Sequence, residues 1–364
     1  MLITTLEAMN FKNIGEARLD FSEGVNCFVG RNGMGKSNLL EGIHFLSMAR
    51  PMQSMPESGL IRHGEDMLLV KGHYLTDAGG DEDVSIGIKR GKGKTLLRNG
   101  KEYGKLSEHI GRFPIVAVTP ADSMLVTGSG EMRRKLLDMV ISQTDRRYLA
   151  ELIRYNRGLE SRNRMLRAGV RDKLLYESVE AGMCSAAATV YEARKAWTES
   201  IKPIFRRYYE EVAGEQERVS LTYTSVLDSK PLQAILDEGR AKDGVLGFTH
   251  QGVHRDDLCM ELRGHSMRRV GSQGQLKSYV IALRLAIYEH LCDVTGVKPI
   301  LLLDDIFDKL DSERVGRIMC TVSSGNFGQI FITDTNREHL DETVSTLVGP
   351  SRMYEVEEGR FTVL

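Results

Sequence analysis

The chain lacks an excess of charge of either sign: 49 Lys and Arg stand against 50 Asp and Glu in 364 residues. Whole-chain charge therefore recruits no polyanion, and a nucleic acid would have to meet a local patch. Cysteine is scarce as well. Cys27, Cys184, Cys259, Cys292 and Cys320 are scattered with no C-x-x-C pair. That argues against a zinc site or a disulfide framework and fits a reducing compartment. No run approaches the roughly 20 apolar residues that span a bilayer, and the opening MLITTLEAMNFKN has no long apolar core of a signal peptide. The expectation is a cytoplasmic, soluble protein with no membrane partner. Internal repeats and low-complexity tracts are missing too. What remains is an ordinary globular composition, 41% hydrophobic and 27% charged. At this length it predicts two domains, or one large domain with an insertion.

The apolar pattern changes character along the chain. Residues 2–9 and 17–29 hold short apolar or alternating runs that predict strands. Residues 67–75 and 84–105 predict more, with a hairpin turn at Asn99-Gly100. FPIVAV (113–118) is a compact strand closed by Thr119-Pro120. After Gly130 helix formers take over, and Pro203 is the one proline between 131 and 214. Tyr148, Leu152, Tyr155 and Leu159, then Met183, Ala186, Val190, Trp197 and Ile201, form stripes at helical spacing. They predict antiparallel helices that turn near 167–172. Residues 131–214 are expected to form a helical insertion, a second lobe, in a head built from 1–130 and 215–364. Strand-like segments return at 216–263, and a helix is expected from about Ser272 to Val294. KPILLLDDIF (298–307) and GQIFIT (328–333) read as strands covered on both faces, as in a parallel sheet.

One stretch carries chemistry outright. Gly30, Arg31, Asn32, Gly33, Met34, Gly35, Lys36 and Ser37 match G-x-x-x-x-G-K-S, the Walker A pattern of an ATP-binding loop, with a strand before and a helix after. The glycines let backbone N–H groups turn inward on phosphates, and the helix N-terminus adds its positive end. Lys36 supplies a point charge to the outer phosphates, and the Ser37 hydroxyl can ligate Mg2+. Hydrolysis also needs carboxylates. Asp304 ends an apolar strand where a magnesium ligand belongs. Asp305 follows it, either to polarise the attacking water or to cap a turn.

Further segments separate the classes that share this loop. VGSQGQLKS (270–278) resembles the signature of ABC-type ATPases. Ser272, Gly274 and Gln275 match, Gly271 precedes them, and Gln273 replaces the first glycine of the common form. The resemblance implies that this segment contacts the nucleotide held by a second subunit. Asp311 matches the D-loop aspartate that meets the partner. Thr333 and Asp334 stand where a switch histidine is usual: either one of them takes over the contact to the terminal phosphate or the sensor is weaker. The Q-loop glutamine is not evident in VAVTPADS (116–123), and that contact is unassigned.

The segments FKNIGEARLDFSEGVNCFVGRNGMGKSNLLEGIHFL, GVHRDDL, GSQGQLKS and LLLDDIFDKLD, in this order, resemble the RecF family over nearly the whole chain. That resemblance implies an α/β fold: an ABC-type P-loop ATPase head, with mixed and parallel sheet and flanking helices, related to SMC heads. It also implies a helical lobe without a long coiled coil, since a helix of about 35 residues reaches only about 50 Å. It further implies ATP and Mg2+ as cofactors, an ATP-dependent homodimer and weak DNA-stimulated ATPase activity. Gapped DNA or a single-strand/double-strand junction, RecO and RecR are the implied partners, in gap repair and SOS induction. The rival readings are a P-loop ATPase subunit or a small-molecule kinase unrelated to DNA.

Two basic stretches could meet DNA. Residues 89–105 hold Lys89, Arg90, Lys92, Lys94, Arg98, Lys101 and Lys105 against Glu102 alone. Residues 131–171 carry eleven Lys and Arg against five Asp and Glu. Arg133, Arg134, Arg146, Arg147, Arg154 and Arg157 are the candidates there, with Arg162, Arg164 and Arg167 further along. A solvated helix face is the alternative for any one of them. In GVHRDD, His254 and Arg255 either reach nucleotide or DNA, or Asp256 and Asp257 hold Arg255 in a structural pair.

Overall fold

The structure is a computed structural model. It describes the chain except residues 53, 54, 78, 215, 216, 308, 309, 324–326, 339 and 342–348 and the side chains of residues 312 and 323. The first third runs β1 (Leu2–Phe11), β2 (Ile14–Asp20), β3 (Val25–Val29), α1 (Lys36–Met48), β4 (Met67–Leu75), β5 (Asp81–Lys89), β6 (Gly93–Arg98), β7 (Lys101–Glu102) and β8 (Ile115–Val118). Helices follow: α2 (Ser123–Thr127), α3 (Gly130–Thr144), α4 (Arg146–Arg167) and α5 (Lys173–Ala213). Next come β9 (Val219–Thr224), α6 (Leu232–Leu246), β10 (Asp257–Leu262), β11 (His265–Ser266) and α7 (Met267–Val270). The chain closes with α8 (Gln273–Thr295), β12 (Ile300–Asp304), α9 (Ser312–Ser323), β13 (Ile330–Asp334), β14 (Ser351–Glu357) and β15 (Arg360–Val363).

The chain divides into two compact units. The first joins Met1–Ser123, Arg207–Glu215 and Ser272–Leu364. It holds two six-stranded sheets. One is antiparallel, ordered β2-β1-β4-β5-β6-β7. Its strands alternate: Leu68, Val70 and Tyr74 of β4 are buried, as are Val84, Ile86 and Ile88 of β5, so one face meets the core. The hairpin between β6 and β7 turns at Asn99 (φ +50°) and Gly100 (φ +74°), the two left-handed residues that the Asn-Gly pair predicts.

The other sheet runs β15-β14-β3-β13-β12-β8 and is parallel from β14 to β8. Every residue of β3, β8, β12 and β13 is buried, the mark of parallel strands covered on both faces. Phe28 stacks on Tyr354 at 5.0 Å, tying β3 to β14. Helix α1 touches β1, β4 and β5 of the first sheet and β8, β12 and β13 of the second. That explains why it is apolar on most sides rather than along one stripe.

The second unit joins Met124–Arg206 and Gln216–Gly271. It is wider than the 131–214 insertion expected above. The three-stranded sheet β11-β10-β9 and α6 belong with the helices, which corrects the assignment of 216–271 to the head, while 207–214 of the expected insertion fall in the first unit. The reason lies in buried ionic links. Arg162 of α4 donates to Glu180 of α5 (2.8 Å) and Asp243 of α6 (2.7 Å). Arg194 of α5 donates to Asp138 of α3 (2.8 Å) and to the Val253 carbonyl (2.7 Å), and it pairs with Asp256 (3.4 Å). Both guanidinium groups are almost wholly buried. A buried arginine needs such partners, and only 216–271 supplies several of them. The expected helix pair is present, turning between Arg167 and Lys173. At 1.5 Å per residue, α5 is about 60 Å long.

Candidate functional site

The Walker A loop leaves β3 at Val29 and enters α1 at Lys36. A Cβ on Gly30 would lie 2.3 Å from the Val356 carbonyl oxygen of β14, so only glycine fits between the strands. Gly35 caps α1 at φ +116°, a conformation that L side chains rarely adopt. The helix starts with no side-chain cap, so its first N–H groups and the positive end of its dipole face the loop. Arg31, Asn32 and Gly33 are exposed and Met34 is half-buried. The Gly359 N–H donates to the Met34 carbonyl at 2.7 Å, so the C-terminal hairpin holds the loop from outside.

Lys36 is buried, and its ammonium donates to the carbonyls of Gly30 (2.5 Å) and Arg31 (3.0 Å). Burial lowers its pKa, while Asp305, Asp304 and Asp334 pull it back up. The negative charge of these three residues thus offsets part of the cost of burying the cation.

The parallel register places Asp304 beside Thr333, and β13 lies between β12 and β3. The Ser37 hydroxyl donates to Asp304 Oδ1 at 2.8 Å. A hydroxyl against a carboxylate is an all-oxygen donor pair of the kind magnesium takes. Among the described residues no three or more His, Cys, Asp or Glu side chains form a metal cage. The donor set therefore fits a cation that keeps most of its shell as water and phosphate oxygens.

Asp305 stands at φ +47°, a left-handed conformation uncommon for non-glycine residues, though aspartate takes it more readily than most. Its N–H donates to Thr333 Oγ1 (3.0 Å) and more weakly to the Thr333 carbonyl (3.3 Å). Thr333 Oγ1 in turn donates to Asp304 Oδ1 at 2.7 Å. This corrects the expectation for Thr333: its one hydroxyl proton is spent on Asp304 and is not free for a phosphate. Asp334 is buried and accepts the Asn336 N–H at 2.9 Å.

Ser272 and Gln275 form a capping box at the start of α8. Ser272 Oγ accepts the Gln275 N–H (3.2 Å), and Gln275 Oε1 accepts the Ser272 N–H (2.8 Å). Gly271 ends α7 one residue earlier. Ser272 and Gln273 are exposed, and Gly274 is half-buried. A Cβ on Gly274 would lie 2.6 Å from the Arg314 guanidinium. Asp311 accepts the Arg314 N–H at 2.9 Å and pairs with its side chain at 3.4 Å. Signature and D-loop therefore meet at one corner of the first unit. Asp308 and Lys309 of the expected D-loop segment lie outside the described residues.

Sequence reasoning missed Asn13. Its side chain donates to the Gly33 carbonyl (3.4 Å) and accepts from Asn38 (2.7 Å), bracing the loop from the β1–β2 turn. An asparagine in a tight turn was the only signal, and turns commonly hold one. In the VAVTPADS segment, Asp122 takes two hydrogen bonds from Arg284 of α8 (2.6 and 3.2 Å), so the polar side chain there is structural.

The basic candidates split. Lys94 is paired with Glu57 and donates to the Ala49 carbonyl, and its side chain is largely buried. Arg133 holds Asp257 with two bonds (2.6 and 2.8 Å) and the carbonyls of Leu125 and Gly128. Both are corrected from DNA candidates to structural cations. Arg134 donates to the Asp256 carbonyl (2.7 Å), and Arg154 sits 3.5 Å from Glu151. Arg90 is exposed and donates to the Glu65 carbonyl. Lys89, Lys92, Arg146, Arg147 and Arg157 are exposed.

The GVHRDD segment resolves in the same way. Asp257 holds Arg133, and Asp256 meets Arg194 and Tyr223. His254 joins Tyr155 OH (2.7 Å) and the Thr249 carbonyl (2.9 Å), and burial lowers its pKa to about 4. Its Nε2–H donates to that carbonyl, so Nδ1 accepts from the tyrosine. Arg255 is exposed, with its guanidinium over the Phe248 ring. The expected Arg255 pairing is thus replaced by pairs to two other arginines.

Residues 2–359 match the family model described as RecF/RecN/SMC N terminal domain. The chain is 46% identical over 361 residues to the DNA replication and repair protein RecF of Porphyromonas gingivalis, covering 99% of each. It is similar to a solved structure of the recombination mediator protein RecF with ATP in the RecFOR pathway, at a TM-score of 0.89 and 28% identity, covering 100% of this chain and 97% of that one. An SMC head bound to the C-winged helix domain of ScpA matches at a TM-score of 0.60 and 16% identity, covering 100% and 97%, and shares the fold. Among the described residues no helix is long and apolar enough to cross a membrane. A Walker A loop facing a β12 carboxylate, an SMC-type head and full-length likeness to RecF proteins converge, and the chain belongs to the RecF family of DNA replication and repair proteins.

Proposed function

We propose that this chain is an ATP-dependent, DNA-binding recombination mediator that closes as a nucleotide-bridged homodimer and hydrolyses ATP slowly, faster on DNA. The observation that carries it is the 2.8 Å contact of Ser37 with Asp304, which brings the Walker A loop and the β12 carboxylate to one point. Residues 30–37 cradle the phosphates, Lys36 neutralises their outer charge, and Ser37 with Asp304 holds Mg2+. Bound Mg2+ supplies Lewis-acid charge to the transferring phosphoryl group. Asp305 orients water. The exposed Ser272 terminus, with Gly271, Gln273, Gly274, Gln275 and Asp311 beside it, faces the phosphate held by a second copy. Such a terminus favours anions.

Exposed Lys89, Arg90, Lys92, Arg146, Arg147 and Arg157 offer a sequence-independent grip on a DNA backbone. Gapped or junction DNA, RecO and RecR are the partners this reading carries, in the cytoplasm. Sedimentation of the full chain with and without a non-hydrolysable ATP analogue and gapped DNA, across a salt series, tests it. The expected result is a dimer only with nucleotide, bound to DNA more weakly as salt rises. A chain that stays monomeric with the analogue yet hydrolyses ATP at full rate overturns it.

A further inference from the structure

Thr333 is in hydrogen-bond contact with both residues at the end of β12, Asp304 and Asp305. Its hydroxyl donates to Asp304 Oδ1 (2.7 Å) and accepts the Asp305 N–H (3.0 Å). Asp304 Oδ1 also accepts from Ser37 (2.8 Å), so two hydroxyls converge on one carboxylate oxygen. The side chain is fully buried, and its strand runs between the Walker A strand and the carboxylate strand.

Two consequences follow from the chemistry of a single hydroxyl. Its proton restricts the rotation of the Asp304 carboxylate, because Oδ1 is held between Ser37 and Thr333. Its lone pair holds the Asp305 N–H, at a residue with positive φ. Asp305 sits at φ +47°, in a left-handed region that aspartate visits more readily than most non-glycine residues but that still disfavours a side chain. The competing acceptor, the Thr333 carbonyl, is longer at 3.3 Å. The hydroxyl is therefore the closer of the two acceptors of the Asp305 N–H.

We infer that Thr333 is a positioning residue that orients the magnesium-side carboxylate of Asp304 and holds Asp305 in its left-handed turn through one shared hydroxyl, rather than touching the terminal phosphate. The inference rests on the proposed roles of Asp304 and Asp305. It assigns β13 a mechanical part: a shift of this strand moves both carboxylates together.

The test uses the full chain with Thr333→Val, which keeps the shape and the strand preference, Thr333→Ser, which keeps the hydroxyl, and Thr333→Ala in parallel should the valine form not fold. The first readout is amide hydrogen exchange in the nucleotide-free chain. Loss of one hydrogen bond speeds exchange at the Asp305 amide about tenfold in the Val and Ala forms and leaves it unchanged in the Ser form. The second is DNA-stimulated phosphate release. Removing a second-layer partner lowers kcat about 10- to 100-fold, while the ATP dissociation constant moves by less than about threefold and the Ser form recovers.

Unchanged exchange in the Val or Ala form, a Ser form as crippled as the Val form, or ATP binding lost as steeply as turnover each overturns the inference. Asp305→Asn, run beside them, separates the two ideas. If that variant turns over at the normal rate, the water-orienting role of Asp305 fails, and the exchange measurement still decides the tether.

Discussion

Ser37 and Asp304, 267 residues apart in the sequence, meet at 2.8 Å. One opens the helix after the phosphate loop and the other closes a buried strand two places away in the same sheet. β13 bridges them, and its Thr333 completes the contact.

Lys36→Ala should abolish nucleotide binding and, with it, nucleotide-dependent dimerisation. The buried ammonium feels the charge of Asp305, Asp304 and Asp334 and is the cation that the Walker A loop offers to the outer phosphates. Equilibrium binding of a fluorescent ATP analogue and sedimentation with unlabelled nucleotide check this. Ordinary binding by the variant would contradict the loop's assignment.

Asp305→Asn should keep binding and dimerisation but stall hydrolysis, giving a long-lived complex on gapped DNA. Ser272→Arg should keep ATP binding by the monomer and lose the dimer, because a bulky cation replaces the exposed cap of α8. The pair is read by light scattering with and without nucleotide. A normal dimer from the Ser272→Arg chain removes the role of the signature across the interface.

Arginines of the second unit should sort into two classes. Arg133→Ala leaves Asp257 without its two-bond partner and should cost roughly 2 kcal/mol of stability. The double change Arg146→Ala and Arg147→Ala removes exposed cations and should leave the melting temperature within about 2 °C. The second variant should also bind DNA more weakly and show a shallower salt dependence. Thermal melts and a salt titration of DNA affinity distinguish them. Equal salt slopes in wild type and the double variant would remove this pair from the DNA surface.

Acid should loosen the second unit through His254. Its folded pKa of about 4 lies below the ordinary value of 6.5, so the unfolded chain takes up the proton first. Stability from this group is complete above pH 6.5 and is lost as pH falls toward 4. His254→Gln offers an N–H to the Thr249 carbonyl and an acceptor to Tyr155 without titrating. Its melting temperature should fall less steeply than that of the wild type over this window. Parallel curves would show that another group carries the acid sensitivity.

Much of this was legible without coordinates. Gly30, Gly33, Gly35, Lys36 and Ser37 sit on one continuous stretch, and the φ angles and N–H directions that such a loop needs are set by neighbours in sequence. Asp304 was readable for the same reason, as the polar end of a buried run. The Asn99-Gly100 turn and the helix pair around 167–172 are likewise local. The boundary of the second unit was not legible. Alternating strands at 219–224 and 257–262 name a sheet without naming which one, and the buried Arg162 and Arg194 decide it through partners far along the chain.

The sequence by itself determined the phosphate loop, its flanking strand and helix, and the carboxylate that answers it, because each depends on residue types a few places apart. Only the tertiary structure decided that Thr333 braces both aspartates, that Asn13 props the loop, and that Lys94 and Arg133 are committed to the fold. Those are pairings across tens to hundreds of residues. A cation looks the same in a string of letters whether or not the fold delivers a carboxylate to it.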